Sequence, residues 1–326
     1  MAPRGVTVLA GSPGGHLDLL AAVGPQLDAP RVWVTSPGPQ ADDLERRGER
    51  VERLPEYGRS PIRVLPNVAR AIALLRAVRP AVVVASGAGL VVPFCVLARL
   101  TGARIVFIET TARVGDASMS GRVIGRLASA ILVQWAETAA RYPRAVLCRP
   151  ALWEQIHRGE AAGEGTFVAV GTRHEPFDRL LRIVDDAVAD GLLPGPVIAQ
   201  SGHSRYVPRH YETTAWLTPA QVEEAARRAR YVVCHSGSGI IGAALRNGRR
   251  PLVLPRLHSH AEHVDDHQLQ IANKLEDMGL AVALDGPIED ADVRAAAAPL
   301  PDAAANGTPS VIDALRSAVS RERIAA

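Results

Sequence analysis

The chain has 326 residues, 28 of them Gly and 24 Pro, and is 47% hydrophobic, too long and too apolar for one small core. Two domains of about 150 residues each are the expectation. Its 37 basic residues, all arginine except Lys274, are nearly balanced by 34 acids for a net charge of +3, and aromatics make up only 4%. With no basic stripe interleaved with aromatics, a nucleic-acid partner is excluded. Cys95, Cys148 and Cys234 are sparse and form no CxxC, which speaks for a reducing compartment and against a disulfide scaffold or a cysteine-rich zinc site. The amino terminus, MAPRGVTVLAGSPGGH, has too short an apolar run for a signal peptide, and no stretch has the length and apolarity of a membrane span, so a soluble or peripheral protein is expected.

The first half opens on a buried-strand pattern from Val6 to Ala10, then a Gly/Pro turn and Leu17, Leu19, Leu20 and Val23 on a helix. Arg31 to Thr35, Ala81 to Ala85, Arg104 to Ile108, Ala130 to Val133 and Ala145 to Cys148 read as further strands. Val68 to Ala77, Val91 to Leu100 and Gly121 to Ala128 read as the helices between them. Near-continuous apolar strands separated by helices predict a parallel sheet covered on both faces.

The polar, small-residue stretch Arg158 to Gly165 predicts the boundary, giving domains at residues 1–160 and 161–326. The same grammar then repeats. Thr166 to Val170, Pro196 to Gln200, Tyr231 to Cys234, Pro251 to Leu254 and Leu280 to Leu284 read as strands. Phe177 to Ala189, Pro219 to Arg228, Ile240 to Arg246 and His263 to Met278 read as helices. Ala291 to Ala304 reads as a mobile connection or partial helix, and Pro309 to Ala325 as a terminal helix able to return to the first domain. The expected fold class is α/β, two doubly wound Rossmann-like domains facing across a cleft, with ligands at the carboxyl ends of the strands.

Two glycine loops sit where such a fold binds anions. Gly11-Ser-Pro-Gly-Gly-His16 follows the first strand and opens a helix, whose terminal amides suit a phosphate. It is neither a GxGxxG fingerprint nor a P-loop, so hydride transfer and nucleoside triphosphate hydrolysis lose support. His16 is a candidate base or phosphate donor, its alternative being a structural histidine in a tight turn. Cys234-His-Ser-Gly-Ser-Gly239 occupies the corresponding place in the second half, where its amides, Ser236 and Ser238 can hold a diphosphate. The densest polar run is Arg256-Leu-His-Ser-His-Ala-Glu262-His263-Val-Asp265-Asp266-His267-Gln268. It lacks HExxH and a distant third ligand, so a sugar-nucleotide site accounts for it better than a metal: acids and amide for hydroxyls, Arg256 for phosphate. Smaller loops complete the set: Gly171-Thr-Arg173, Gln200-Ser-Gly202, Ser86-Gly-Ala-Gly89 and Glu109-Thr-Thr-Ala-Arg113. Glu109 is either an acid or base or the i,i+4 partner of Arg113.

At these residues the chain resembles the GT-B glycosyltransferases. GSPGGHLDLL, ASGAGLVVPF, FIETTARV and ILVQW resemble the membrane-side component of the two-part enzymes that add N-acetylglucosamine to dolichol-linked diphosphate sugar. FVAVGTRHEPFDRLL, HSGSG, LVLPR and EHVDDHQLQIA resemble the nucleotide-sugar-binding component, so the chain looks like a fusion of the two. Bacterial counterparts extend lipid-linked exopolysaccharide precursors.

The resemblance implies inverting, metal-independent transfer from a UDP-sugar to a polyprenyl diphosphate-linked saccharide, with no cofactor besides the donor. It implies donor binding by Gly171, Thr172, Ser201, His235, Ser236, Gly237, Ser238, Gly239, Arg256, Glu262, His263, Asp265, Asp266, His267 and Gln268. On the acceptor side it implies Gly14, Gly15, Ser86, Gly87, Gly89 and Arg113, with Glu109 near the transfer centre and His16 as the base. A cytoplasmic protein, peripheral on the inner face of the cell membrane, is the corresponding location.

Two departures matter. Related peptidoglycan-precursor transferases carry a ribose-contacting glutamate where this chain has Ala243, which shifts ribose recognition to Glu262 or Asp265. No counterpart of the amino-terminal membrane helix of the eukaryotic membrane-side component is expected from this sequence, which leaves Val91, Val92, Phe94 and Leu97, or Met119 to Leu132 with Arg122 and Arg126, to meet lipid, with ordinary core packing as the rival reading. Transfer to a small hydrophobic acceptor, UDP-sugar 2-epimerisation and non-catalytic UDP-sugar binding remain as alternatives.

Overall fold

The computed structural model of the chain describes residues 5–55, 65–87, 89–152, 156, 163–264, 266–301 and 308–320, the side chains of 65–67 excepted. The first series of elements is β1 (Thr7–Gly11), α1 (Gly15–Val23), β2 (Arg31–Thr35), α2 (Pro39–Arg46), β3 (Val51–Arg53), α3 (Leu65–Val78), β4 (Val82–Ser86), α4 (Val91–Leu100), β5 (Arg104–Ile108), α5 (Met119–Ile124), β6 (Ala130–Val133), α6 (Ala136–Ala139) and β7 (Ala145–Leu147). The second is β8 (Thr166–Ala169), α7 (Asp178–Ala189), β9 (Val197–Gln200), α8 (Pro219–Arg228), β10 (Tyr231–His235), α9 (Ser238–Arg246), β11 (Leu252–Leu254), α10 (His267–Asp277), β12 (Val282–Ala283) and α11 (Asp290–Ala297), after which comes α12 (Val311–Ser320). The chain divides into one compact unit of Met1–Ala151 with Asn306–Ala326 and another of Leu152–Ala305. Most of the linker expected at Arg158 to Gly165 lies outside the described residues.

Seven parallel strands in the order β3-β2-β1-β4-β5-β6-β7 form the sheet of the first unit. Successive residues point to opposite faces, and both faces are buried. Val8, Ala10, Val83, Ala85, Ile105 and Phe107 meet Leu75 of α3, Phe94 of α4 and Ile124 of α5. Leu9, Val84, Val106 and Ile108 meet Leu20 of α1 and Leu315 of α12. Helix α12 buries Val311, Leu315 and Val319 and packs on β5 and β6. The Arg149 amide donates to the Pro309 carbonyl at 2.9 Å, which ties the approach to α12 to the end of the sheet.

The sheet of the second unit has the order β12-β11-β10-β8-β9, also all parallel. In each sheet the strand order reverses once, between β1 and β4 and between β8 and β10. Such a reversal opens a crevice at the carboxyl ends of the two strands. The loops that emerge there are the ones the sequence marks out: Gly11–His16 beside Ser86 and Gly87, and Gly171–Arg173 beside His235–Gly239.

Several elements differ from expectation. Helix α2 and strand β3 were not foreseen, because α2 buries only Ala41 and Leu44 of its eight residues and β3 is a three-residue, partly exposed edge. The helix expected from His263 begins only at His267: a 3₁₀ turn at His258–His260 ends in left-handed Ala261 (φ 55°), which breaks the helical path. Of the two readings left open for Ala291 to Ala304, the partial helix is the one observed: α11 is opened by reciprocal capping between Glu289 and Asp292 and ends before Pro299. Of the α4 residues expected to face lipid, Val91 and Phe94 are instead buried in the core. Among the described residues no helix is long and apolar enough to cross a membrane.

Candidate active site

Gly14, at φ 88°, caps the start of α1 where a side-chain cap is absent. Gln40 of α2 instead fixes the Gly14 backbone. The Gly14 amide donates to Gln40 Oε1 at 2.7 Å, and Gln40 Nε2 donates to the Gly14 carbonyl at 3.3 Å and to Asp18 Oδ1 at 2.6 Å. With Gly14 fixed, α1 opens at Gly15 and His16 with the positive end of its dipole. His16 is half-buried, and its Nδ1 lies 3.2 Å from the hydroxyl of fully buried Ser86 at the end of β4. Gly87 (φ 117°) admits this approach: a Cβ there would stand 2.8 Å from Ser12 Oγ. Gly89 is exposed at φ 40°. The structure therefore brings Gly14, Gly15, His16, Ser86 and Gly87 together.

Glu109 is a different matter. It is 1% exposed; Oε1 accepts from the Thr110 amide at 3.1 Å, while Oε2 accepts from the Ser118 amide at 3.0 Å and from the Tyr142 hydroxyl. A carboxylate so enclosed organises its loop and is poorly placed to exchange a proton with substrate. Burial and the neighbouring Glu109 charge push the Tyr142 hydroxyl well above its ordinary value. Half-buried Arg113 shapes the same loop through its backbone, its carbonyl accepting from Thr138 Oγ1 at 2.8 Å.

In the second unit the imidazole of His235 lies between two glycines. A Cβ on Gly171 (φ 86°) would stand 2.6 Å from the ring and one on Gly237 2.2 Å from it. His235 Nδ1 is 3.4 Å from the Ala169 carbonyl. Burial, reinforced by the charge of Arg256, lowers its pKa to about 3, so the ring is neutral. The next residue, Ser236, is 3% exposed and its Oγ has no hydrogen-bond partner. It sits immediately before α9, whose N-cap, Gly237, offers no side-chain oxygen to the first-turn amides. A buried hydroxyl beside uncapped amides and a positive helix end has the chemistry that suits a phosphate.

The polar run after β11 divides in two. Arg256 is 1% exposed, donates to the carbonyls of Val170 (2.8 Å), Glu175 (2.8 Å) and Glu262 (3.1 Å), and lies 4.6 Å from the centre of the Phe177 ring. Burial pulls its pKa down to about 10. This guanidinium is a buried brace, contrary to its expected role against the donor phosphate. Glu262 is likewise occupied: Arg179 holds both carboxylate oxygens, at 3.1 and 2.8 Å, and the Leu257 amide adds a third bond at 3.2 Å. Ribose recognition by Glu262 is therefore not what the geometry favours. Buried Gln268 accepts from the Arg256 amide at 3.0 Å. Buried His263 and half-buried His267 meet edge to face at 4.5 Å, and exposed Asp266 accepts from the His258 amide at 2.7 Å. Asp265 lies outside the described residues. Among the described residues no group of three or more His, Cys, Asp or Glu side chains could hold a metal ion.

Beside Gly171, Thr172 is exposed and Arg173 forms a bidentate pair with Glu175 at 3.0 and 2.9 Å, which pulls the Glu175 carboxyl down to about 2. Buried Ser201 donates its amide to Thr214 at 3.0 Å. This bond folds residues 201–216 back toward the strand end and sets Trp216 near Gly202, where a Cβ would be 3.8 Å from its ring and 2.8 Å from the Gly171 carbonyl. His174, His203 and Trp216 form a chain of rings with centroids 5.0 Å apart. Sequence reasoning missed these rings, together with Gln40, Tyr142 and Arg179. Each is a lone residue in a loop or on another helix, so only the fold discloses its role.

Residues 49–149 match the family model "Oligosaccharide biosynthesis protein Alg14 like", and residues 167–284 match "Glycosyltransferase family 28 C-terminal domain". A relative from Shewanella violacea, named UDP-N-acetylglucosamine--N-acetylmuramyl-(pentapeptide) pyrophosphoryl-undecaprenol N-acetylglucosamine transferase, is 24% identical over 89% of this chain and 86% of its own. The UDP-N-acetylglucosamine transferase subunit ALG14 of Yarrowia lipolytica is 32% identical over 42% of this chain and 76% of its own. In fold the chain is similar to the crystal structure of MurG from Acinetobacter baumannii, with TM-score 0.59, 18% identity and 86% of each chain covered. It is also similar to the kitacinnamycin glycosyltransferase, with TM-score 0.60, 16% identity and 90% of each covered. The chain belongs to the GT-B glycosyltransferases, and joins in one polypeptide an Alg14-like amino-terminal half to a glycosyltransferase family 28 carboxyl-terminal domain.

Proposed function

We propose that the protein transfers N-acetylglucosamine from UDP-N-acetylglucosamine to a saccharide carried on a polyprenyl diphosphate, at a membrane surface. The observation that carries this reading is that each unit has a helix amino terminus at its sheet reversal: α1 with His16 on Ser86 in the first, and α9 with unpartnered, buried Ser236 in the second. Each is suited to a phosphate group, as a nucleotide-sugar donor and a diphosphate-linked acceptor require. The names of the relatives supply both substrates.

In this reading the α9 amides and Ser236 hold the donor diphosphate, with His235 as a neutral wall between Gly171 and Gly237. The rings of His203 and Trp216 offer faces for the uracil. Glycine 14, Gly15 and the α1 amides face the acceptor diphosphate. With His16 Nδ1 engaged by Ser86, Nε2 takes the proton from the acceptor hydroxyl as its oxygen attacks the anomeric carbon. The bond from that carbon to the diphosphate breaks, and UDP leaves with its new charge facing the positive end of α9. Attack opposite the leaving group inverts the anomeric centre. Glu109, Arg256, Glu262 and Gln268 act by holding loops in place.

The test is acceptor-dependent release of UDP, with the product read by mass. A gain of one N-acetylhexosamine on the lipid-linked acceptor supports the reading, and epimerisation of the UDP-sugar without acceptor overturns it.

A further inference from the structure

Among the described residues three carboxylates are almost wholly enclosed: Glu109, Glu262 and Asp185. The first two brace loops within their own units. Asp185, on α7, is 2% exposed, and its charge is met by donors from one loop. The Arg209 amide donates to both oxygens at 3.1 and 2.9 Å, the His210 amide to Oδ1 at 3.0 Å and the Tyr206 hydroxyl to Oδ2 at 2.8 Å, while His210 Nδ1 lies 3.1 Å from Oδ1. Taking a carboxylate out of water is costly unless such bonds replace its hydration. Here burial opposes ionisation, and the bonds from Arg209, Tyr206 and His210 outweigh it and lower the Asp185 pKa.

Asp185 acts with the rest of one side of α7. Asp178, Arg182 and Asp185 stand at i, i+4 and i+7 and share a stripe of the helix. Asp178 Oδ1 accepts from the amides of Arg205 (2.7 Å) and Tyr206 (3.1 Å), and the Arg182 guanidinium lies 4.7 Å from the centre of the Tyr206 ring. The Leu181 carbonyl accepts from the Tyr211 hydroxyl at 2.9 Å, and just before the helix the Phe177 amide donates to Ser204 Oγ at 3.0 Å. All these partners lie in residues 204–211, the middle of the loop that leaves β9. The two ends of that loop are closed on each other by the Ser201 amide on the Thr214 carbonyl and the Gly202 amide on the Ala215 carbonyl, both at 3.0 Å. His203 stands just inside this closure and Trp216 just outside it, with ring centroids 5.0 Å apart.

We infer that Asp185 is a positioning residue for the donor: by fixing residues 206–210 on α7 it sets how the loop lies, and so how the His203 and Trp216 rings are presented to the nucleotide base. This rests on the reading of those two rings as faces for the uracil and names what holds them. Tyr206 and Tyr211 pack partly on the apolar core of the unit. Between them the chain turns outward, with Val207 80% exposed and Arg209 exposed, so the backbone there relies on Asp185 for its partners. Without the carboxylate the Arg209 and His210 amides turn to water, the middle of the loop lifts from α7, and the ring pair at its root is no longer held.

Hydrogen exchange and calorimetry on the full chain test the inference, with UDP as the probe. In Asp185→Ala the Arg209 and His210 amides exchange at least about tenfold faster than in wild type, and UDP affinity falls about three- to tenfold. In steady state KM for the UDP-sugar rises by the same factor, while kcat and KM for the acceptor stay within about twofold. Trp216→Ala lowers UDP affinity about tenfold, and adding Asp185→Ala to it changes affinity by less than about twofold, because the two act at one place. Tyr206→Phe/His210→Ala removes two side-chain partners at a partly exposed surface and weakens UDP about two- to threefold, so the answer does not depend on whether Asp185→Ala folds. Unchanged exchange, faster exchange with unchanged UDP affinity, or losses from Asp185→Ala and Trp216→Ala that multiply in full overturn the inference. A wild type that does not bind UDP refutes the donor reading and the inference with it, whereas a wild type that binds beside an Asp185→Ala that binds equally well refutes the inference alone.

Discussion

Replacing Glu262 with alanine separates bracing from ligand binding. The carboxylate is 7% exposed and holds Arg179, 22% exposed, through two charge-assisted bonds, besides accepting from the Leu257 amide. Removing one partner of a buried pair costs about 3–5 kcal/mol; Arg179 keeps some water and its bond to the Pro255 carbonyl, so about 3 kcal/mol is expected. For a unit of this size that lowers Tm by about 6–12 °C. Thermal unfolding of wild type, Glu262→Ala, Arg179→Ala and the double variant forms a cycle in which the coupling between the two residues is about 2 kcal/mol. A Tm within about 2 °C of wild type and coupling under about 0.5 kcal/mol would refute the brace. If UDP affinity nevertheless fell tenfold or more, Glu262 would be a direct donor ligand.

Gly171→Ala combines a left-handed backbone with a Cβ 2.6 Å from the His235 ring; UDP affinity measured by calorimetry falls at least about tenfold, and unchanged affinity removes His235 from the donor wall. Gln40→Ala removes the partner of the Gly14 amide and one of the donors to its carbonyl, and steady-state kinetics show KM for the acceptor rising about three- to tenfold with KM for UDP-sugar unchanged; a change confined to the donor would contradict this. The folded pKa of His235, about 3, lies below its ordinary 6.5. Below pH 6.5 the unfolded chain binds a proton that the folded ring refuses, so this contribution is complete above 6.5 and lost as pH falls toward 3, at about 1.4 kcal/mol per unit. Urea unfolding at pH 7 and pH 5 therefore shows wild type losing about 2 kcal/mol more than His235→Gln; equal losses refute a neutral ring.

The two sheets were legible because strands buried on both faces leave runs such as Val82 to Ala85, and because a glycine loop follows the strand at each reversal. Helix α2 was not, since its polar sequence shows little of a buried face, and Gln40 was lost with it. The polar run at Arg256–Gln268 misled for a related reason. Composition showed a guanidinium, carboxylates and an amide, but not that Arg256 and Glu262 point inward to Val170 and Arg179, residues of β8's end and α7 far away in sequence. Likewise Glu109 declared its charge and not its burial. The sequence placed α4 toward lipid; burial of Val91 and Phe94 and exposure of Val96 and Leu100 show which side of the helix is free.

The central claim is most directly met by mixing the protein with UDP-N-acetylglucosamine and a polyprenyl diphosphate-linked saccharide, and following UDP and acceptor mass together. The account predicts one UDP released for each N-acetylhexosamine gained by the acceptor, with the turnover of His16→Ala reduced about 10²–10⁴-fold while it still binds UDP. Release of UDP without a change in acceptor mass, or full turnover by His16→Ala, would contradict it.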